Sequence, residues 1–214
     1  MTPHHRHRIA AALLALALLA GCGKDKIVDP GPSHGLIADS PANAVRLMAA
    51  AFTARDTLIY RGLFTADYVF VVMADTIPGT PTPGNLDWAD EMRFARNCFK
   101  LGTSQLGPAK TITDTLGTLT ALPDSRPGKN PTWHQQITTG LHLVADALDT
   151  VFEVDELLTF YLVRGDSASV TPEIRGTGGP PDTQRWYVER LEPFPLIGRG
   201  PNTLERLKLA YVTP

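Results

Sequence analysis

The chain has 214 residues, with 20 lysines and arginines against 22 aspartates and glutamates, and only two cysteines. This near-neutral balance, without a cluster of Lys or Arg on any predicted face, argues against nucleic-acid binding. The part from about residue 39 onward is long enough for one domain with a substantial core.

The first residues have the features of a bacterial export leader. Arg6 and Arg8 lie in a basic start, and Ile9–Ala20 supplies a run of apolar residues. That run is long enough for the core of a signal peptide and too short to span a bilayer, which takes about 20 residues. Its end, Leu19-Ala20-Gly21-Cys22, resembles the lipobox of bacterial lipoproteins. We therefore predict a lipoprotein signal peptide over residues 1–21.

The lipobox resemblance implies that Cys22 is lipidated. In bacterial lipoproteins this thiol receives a diacylglycerol, so the mature chain would be anchored to a membrane without crossing it. Gly23, in place of the Asp that retains such proteins at the inner membrane, favours the outer membrane and the periplasm. The alternative is an ordinary secretory signal in which Cys22 has no special role. Residues 22–38 would form a flexible tether between the anchor and the domain.

The beginning of the domain has a helical pattern. Ser40 is a natural N-cap, and Pro41 suits the first helical position because its missing N–H is not needed there. Apolar residues then recur at helical spacing. They are Val45, Met48, Ala49 and Phe52. A short second helix is predicted from Asp56 or Thr57 to Leu63.

A third and clearer helix is predicted over Leu86–Leu101. Gly102 is placed to end it, and the acidic residues near its start suit the helix dipole. The predicted inward stripe consists of Trp88, Met92, Ala95 and Phe99. Cys98, on the flank of this helix, is expected to be a buried apolar residue rather than a reactive thiol.

The rest of the chain is predicted to form strands and loops. Tyr68–Met73 is a compact apolar run typical of a buried strand, and Thr76–Asn85 is a loop rich in Pro and Gly. Later strands are predicted over residues 109–122, 132–147, 151–164 and 183–192, with loops at 123–131 and 165–181. The strand over 132–147 has polar even positions and apolar odd positions, whereas 151–164 is apolar at even positions. The segment 203–212 is ambiguous between a short helix and a strand.

This order of elements, with three local phrases, resembles the nuclear transport factor 2-like superfamily. Residues 54–60 (ARDTLIY) and 63–70 (LFTADYVF) are similar to the family's second helix and first strand, and 185–188 (RWYV) is similar to its last strand. The resemblance implies an α+β fold in which a strongly curved antiparallel sheet forms a cone around N-terminal helices, over residues 39–192. Residues 193–214 would be a C-terminal tail. The superfamily contains isomerases, dehydratases, polyketide cyclases, transport factors and lipoproteins, so the fold leaves function open.

A catalytic site is only weakly indicated. The ketosteroid isomerase branch uses an Asp base with a Tyr and a protonated Asp that stabilise an enolate. Asp75 lies near the position of that base, but residues 40–55 contain no Tyr to match the one in the branch's first helix. Glu153, Asp155 and Glu156 lie on a strand whose register the sequence leaves open. Asp75 is explained more simply as a turn residue, and we assign no catalytic residue.

Other kinds of site are disfavoured. His134 and His142 would lie about 26 Å apart on one strand, too far to share a zinc ion bound at about 2.1 Å. Ser167 and Ser169 lie in loop-like contexts outside any nucleophile-elbow phrase. The segment Gly176–Gly179 does not follow a strand and open a helix, so it is not a phosphate-binding loop. We expect no metal and no cofactor.

A ligand pocket inside the cone is the remaining hypothesis. Its candidate lining residues are Trp88, Trp133, Tyr161 and Trp186, although aromatic residues at such spacings are more often ordinary core. Our first hypothesis is a non-catalytic, lipid-anchored envelope protein that binds a small apolar ligand or another envelope protein. The alternatives are an isomerase or dehydratase acting in the cone, and a structural role in envelope assembly. The polar sheet face would suit solvent or a homodimer.

Overall fold

The computed structural model describes residues 35–73, 84–148, 150–195 and 202–212. The predicted leader, Cys22, the tether up to residue 34 and Asp75 lie outside these residues. In the described part of the chain, no helix is long and apolar enough to cross a membrane.

Both predicted N-terminal helices are present. Helix α1 spans Pro41–Thr53, and the extended Ser40 caps it by accepting a hydrogen bond from the Asn43 N–H. Helix α2 spans Thr57–Arg61, and the Asp56 carboxylate accepts from the N–H groups of the first turn. Between them the chain turns at Arg55, whose φ of 54° lies in the left-handed region. The two N-cap residues predicted from the sequence therefore set both helix starts.

The third predicted helix consists of two parts. Helix α3 spans Trp88–Arg96 and begins with a capping box between Asp87 and Asp90. A π-helix, Asn97–Leu101, continues it and ends at Gly102, whose φ is 74°. The predicted stripe faces the core, with Ala95 and Phe99 buried and Trp88 and Met92 half-buried against it. The inward face is wider than predicted, because Glu91 and Phe94 are buried as well. Glu91 can be buried because it has polar partners inside the core.

The described strands form one mixed sheet. They are β1 (Phe64–Phe70), β2 (Leu86–Asp87), β3 (Thr111–Leu116), β4 (Leu122–Pro123), β5 (His134–Ala147), β6 (Thr150–Arg164) and β7 (Trp186–Pro195). Their order is β2-β1-β7-β6-β5-β3, and β4 also pairs with β5. The sheet is curved and unclosed. The predicted antiparallel sheet is corrected in one respect: β1 and β7 are parallel, and the long crossover through α3 and the central strands makes that pairing possible.

Strand β1 lies earlier than the predicted run Tyr68–Met73. It pairs with β7 from Phe64 to Phe70, and regular pairing stops there. The following N–H groups are taken up partly by side chains: the Val72 N–H donates to Asn85 Oδ1 at 3.2 Å, and the Met73 N–H to Glu205 Oε2 at 2.9 Å. These competing acceptors explain why the apolar run outlasts the strand.

The central hairpin defines the inner face of the sheet. Strands β5 and β6 are antiparallel throughout, with Leu143 opposite Val154 and Ile137 opposite Phe160. Odd positions of β5 and even positions of β6 are therefore buried on the inner face, as their alternation predicts. Helix α1 packs against this face through β3, β5 and β7.

The segment that was ambiguous between helix and strand is a helix, α4, spanning Leu204–Val212. Its residues Leu207 and Tyr211 are fully buried in the main core. Helix α4 packs against α3 and the π-helix. Residues that the sequence assigned to a tail therefore complete the core.

Candidate functional site

A small cavity of about 30 Å³ lies between α1 and the inner face of the sheet. Its wall is mainly apolar, with Val45, Met48 and Phe52 contributed by α1 and Leu143, Leu158 and Phe160 by the sheet. This volume has room for about two water molecules. The apolar part of such a wall favours apolar guests over water.

Among the described residues that line this cavity, Asp114 is the one carboxylic acid. It lies on β3 opposite Leu143, so its side chain shares the inner face with the apolar wall. The Thr53 hydroxyl at the end of α1 donates to Asp114 Oδ1 at 2.8 Å. Burial raises the pKa of Asp114, and the Thr53 hydrogen bond opposes that shift only in part. A half-buried carboxyl group with a raised pKa is a candidate for binding or proton transfer.

Deeper in the core, Glu91 is surrounded by hydrogen-bond donors. The hydroxyls of Tyr60 and Tyr68 donate to its two oxygens at 2.6 and 3.2 Å, and Lys208 Nζ contacts both oxygens. All four side chains are buried. Tyr60 and Lys208 also border the cavity, so this cluster forms its polar end.

These contacts leave the cluster little capacity for chemistry. Burial raises the pKa values of Tyr60 and Tyr68, and the neighbouring Glu91 raises them further, so both phenols stay protonated. Burial lowers the pKa of Lys208, and the attraction of Glu91 opposes the shift. The two oxygens of Glu91 can accept about four hydrogen bonds, and these three residues already supply them. The arrangement holds α2, β1, α3 and α4 together.

A second buried acid, Glu156, lies beside the start of α4. The Leu204 N–H donates to its Oε1 at 2.8 Å, whereas its Oε2 has no hydrogen-bond partner among the described residues. Burial raises the pKa of Glu156 to about 7; the nearby Glu205 also raises it, while Lys208 and the Leu204 N–H lower it. Near neutral pH, this carboxyl group is therefore protonated about half of the time.

None of the four predicted lining residues is among those that line this cavity. Tyr161 lies on the outer face, where its hydroxyl donates to Glu192 at 3.1 Å and Arg126 lies 4.2 Å from its ring centre. Trp133 is half-buried in the turn before β5, and Trp186 is buried at the start of β7. Trp88 begins α3 with Arg175 5.9 Å from its ring centre. Tyr161 does not line the cavity because the odd positions of β6 face outward. The three tryptophans lie at or just before the first residue of an element, away from the cavity wall.

Of the remaining histidine and acidic candidates from the sequence, only His142 and Asp155 are brought together in the described part of the chain. His142 pairs with Asp155 on the outer face, with 3.2 Å between Nδ1 and Oδ1, and Glu153 is exposed. His134 is buried at the other end of β5. Among the described residues, no group of His, Cys, Asp and Glu side chains could hold a metal ion. Cys98 is buried, and burial raises its pKa to about 12, so it is an unreactive thiol as expected.

Sequence reasoning missed Asp114, Glu91 and Lys208. Asp114 could have been found, because it lies two residues after Ile112 and two before Leu116, on the apolar face of its strand. Glu156 gives the same signal, because it lies between Val154 and Leu158 on the apolar face of β6. Glu91 and Lys208 are 117 residues apart in sequence, and no local pattern connects them.

No protein-family model matches this chain, and no curated protein sequence matches it. Solved structures do match. A protein of Novosphingobium aromaticivorans, provisionally assigned as an aromatic ring hydroxylase, superposes with a TM-score of 0.50 at 16% identity, covering 77% of this chain and 92% of that one. At such low identity the match shows the fold alone.

Two further solved structures have lower scores. One is provisionally assigned as a scytalone dehydratase of N. aromaticivorans, with a TM-score of 0.48, 8% identity and coverage of 75% and 88% of the two chains. The other is provisionally assigned as a dehydratase of the nuclear transport factor 2-like family from Streptomyces avermitilis, with a TM-score of 0.46, 12% identity and coverage of 72% and 92%. The described part of this chain has the predicted α+β architecture with a curved, unclosed sheet.

Proposed function

We propose that this domain binds a small apolar molecule in the cavity between α1 and the inner face of the sheet. The observation that carries the proposal is the composition of the cavity wall, which is apolar apart from Asp114 and the end formed by Tyr60 and Lys208. The half-buried Met48 lies in that wall. Its flexible thioether side chain can move aside to admit a guest larger than the resting cavity.

The same contacts favour binding over turnover. A catalytic acid or base needs a titratable group that is free to exchange a proton with the substrate. Glu91 is fully engaged by Lys208, Tyr60 and Tyr68, and the buried tyrosines keep their protons. The cavity therefore has an apolar wall that suits binding, and the groups at its polar end stabilise the fold.

Filling the cavity should abolish binding. Ala49 lines it, so the side chain of an Ala49→Leu variant would occupy the space, whereas the neighbouring half-buried Ala50 does not line it. We expect xenon, a small apolar guest of protein cavities, to shift the methyl NMR signals of Leu143 and Leu158 in the full wild-type chain and in Ala50→Leu, but not in Ala49→Leu. Equal shifts in both variants, or none in the wild type, would exclude the cavity as the binding site.

A second candidate function is an isomerase or dehydratase, and Asp114 is the observation that favours it. Its carboxyl group lines the cavity and has a raised pKa, which suits a general base. Mass spectrometry of small molecules that co-purify with the full chain would separate the two candidates. A compound returned unchanged after incubation with the protein supports binding, whereas its conversion supports an enzyme.

We also propose that the domain is lipid-anchored in the cell envelope through Cys22, on the support of the order of basic, apolar and small residues before it. Mass spectrometry of the protein expressed in bacteria should find acyl groups on a peptide that begins at Cys22. A Cys22→Ala variant should lose them, and Cys98→Ala, which changes the buried cysteine, should keep them. A wild-type Cys22 peptide without acyl mass would contradict the anchor.

A further inference from the structure

A chain of hydrogen bonds on the outer side of the sheet connects two serines to a histidine. The imidazole Nε2 of His134 lies 2.8 Å from Ser169 Oγ, and Ser169 Oγ lies 2.7 Å from Ser167 Oγ. On the other side of the ring, His134 Nδ1 lies 3.2 Å from the Asn130 carbonyl oxygen. The loop that follows β6 carries both serines back over the first residue of β5.

The partners of His134 fix the direction of this chain. A backbone carbonyl only accepts hydrogen bonds, so Nδ1 carries the proton and donates to Asn130. In the neutral ring, Nε2 is then the acceptor, and the Ser169 hydroxyl donates to it. The Ser167 hydroxyl donates in turn to Ser169 Oγ. This tautomer is the one that a histidine needs to act as a general base toward serine.

The histidine and the serine at the two ends of this hydrogen bond differ in burial, as a base and the nucleophile that it activates would. His134 is 4% exposed and lies in a buried row with Val163 and Tyr187 across β5, β6 and β7. Ser169, at the solvent end, is exposed. The base is therefore held in one orientation by its surroundings, while the hydroxyl group that it would activate is open to molecules in solution.

Another serine on the same side of the sheet provides a comparison. The hydroxyl of Ser125 donates to Oε1 of Gln136 at 3.0 Å, and Gln136 lies two residues after His134 on β5. Ser125, like Ser169, is exposed. Ser125 therefore matches Ser169 in exposure and in the length of its hydrogen bond. It has no base, because an amide oxygen does not take up a proton near neutral pH.

We propose that Ser169 is a nucleophile activated by His134, and that it accepts acyl groups from small esters. Ser169 Oγ would attack the ester carbonyl carbon, and its proton would move to His134 Nε2. The bond from carbon to the leaving oxygen then breaks, and that oxygen takes the proton from Nε2 and departs as an alcohol. Water, with His134 again as base, would release the acid and restore Ser169. This site is separate from the cavity between α1 and the sheet and does not depend on it.

A fluorophosphonate tests the activation directly because it gives a stable adduct with reactive serines. The Ser169–phosphorus bond forms, the phosphorus–fluorine bond breaks, fluoride leaves, and His134 passes the serine proton to water. In the full chain, peptide mass spectrometry should find Ser169 modified about 100-fold faster than Ser125, the scale of general-base catalysis. Equal rates at the two serines would overturn the proposal.

Two variants separate the base from the loop conformation. His134→Gln removes the base and should reduce Ser169 modification about 100-fold, with circular dichroism used to establish that the variant is folded. Ser167→Ala leaves the contact between Ser169 and His134 in place, so it should retain most of the rate. Undiminished modification in folded His134→Gln would overturn the proposal; if that variant does not fold, the comparison with Ser125 in the wild type decides.

Discussion

Replacing Lys208 with methionine should lower the free energy of unfolding by about 3–5 kcal/mol, the cost of removing one partner from a buried ion pair. Lys208 is 1% exposed and, of the three described residues that hydrogen-bond Glu91, it is the one cation. Without it, a buried carboxylate keeps only two neutral hydroxyl donors. The ammonium group also lies 4.5 Å from the centre of the Phe70 ring, and that attraction is lost as well. Urea unfolding of the full chain would measure the loss.

A double variant tests whether the unpaired, buried carboxylate of Glu91 causes this loss of stability. In Lys208→Met with Glu91→Gln, the amide oxygen can accept from one tyrosine hydroxyl, the amide NH2 group can donate to the oxygen of the other, and the cluster carries no charge. We expect the double variant to recover more than about half of the lost stability, since neutral replacements of buried ion pairs are often tolerated. Lys110→Met, at an exposed position, should change stability by less than about 0.5 kcal/mol. A single variant as stable as the wild type would contradict this account of the cluster.

The elements that the sequence predicted best are those with local signals. Ser40 and Pro41 start α1 because a capping hydroxyl and a fixed φ act within one turn. The alternation in β5 and β6 likewise gives the inner and outer faces correctly, because a strand exposes successive side chains on opposite sides. Gly102 ends the third helix as predicted, since its φ of 74° is readily adopted by glycine.

The features that the sequence did not predict depend on distant contacts. Hydropathy places Glu91 at the polar start of a helix, and only Lys208 and the two tyrosines make its burial favourable. The length of β1 depends on acceptors from Asn85 and Glu205, which lie 13 and 132 residues after the N–H groups that they bind. The same distinction holds for the functional residues. Strand alternation could have identified Asp114 in the cavity, but the separate contact between Ser169 and His134 depends on the path of a long loop.

Glu156 should make the protein less stable as the pH rises from about 4.5 to about 7. Its pKa is raised from 4.5 to about 7 in the fold, chiefly by burial. Between those values the unfolded chain releases the proton while the folded protein keeps it, so folding becomes less favourable with increasing pH. A shift of this size lowers the free energy of unfolding by roughly 3 kcal/mol. This decrease is complete above pH 7 and has not begun below pH 4.5. Below that window, Glu156 has no effect of this kind because both states hold the proton.

Glu156→Gln should remove this contribution, because the amide keeps an oxygen for the Leu204 N–H and carries no charge at any pH. Above pH 7 the variant should be more stable than the wild type by up to roughly 3 kcal/mol, and near pH 4.5 the two should be equal. Glu153→Gln is the matched control, since Glu153 is exposed on the same strand and should leave the pH profile unchanged. Urea unfolding at a series of pH values measures the free energy of unfolding of the wild type and of Glu156→Gln. Taking the difference between the two removes the contribution of the other titrating groups. A constant difference between wild type and Glu156→Gln across this range would mean that the Glu156 carboxyl group is ionised in the fold, and that a charge beside the start of α4 is tolerated there.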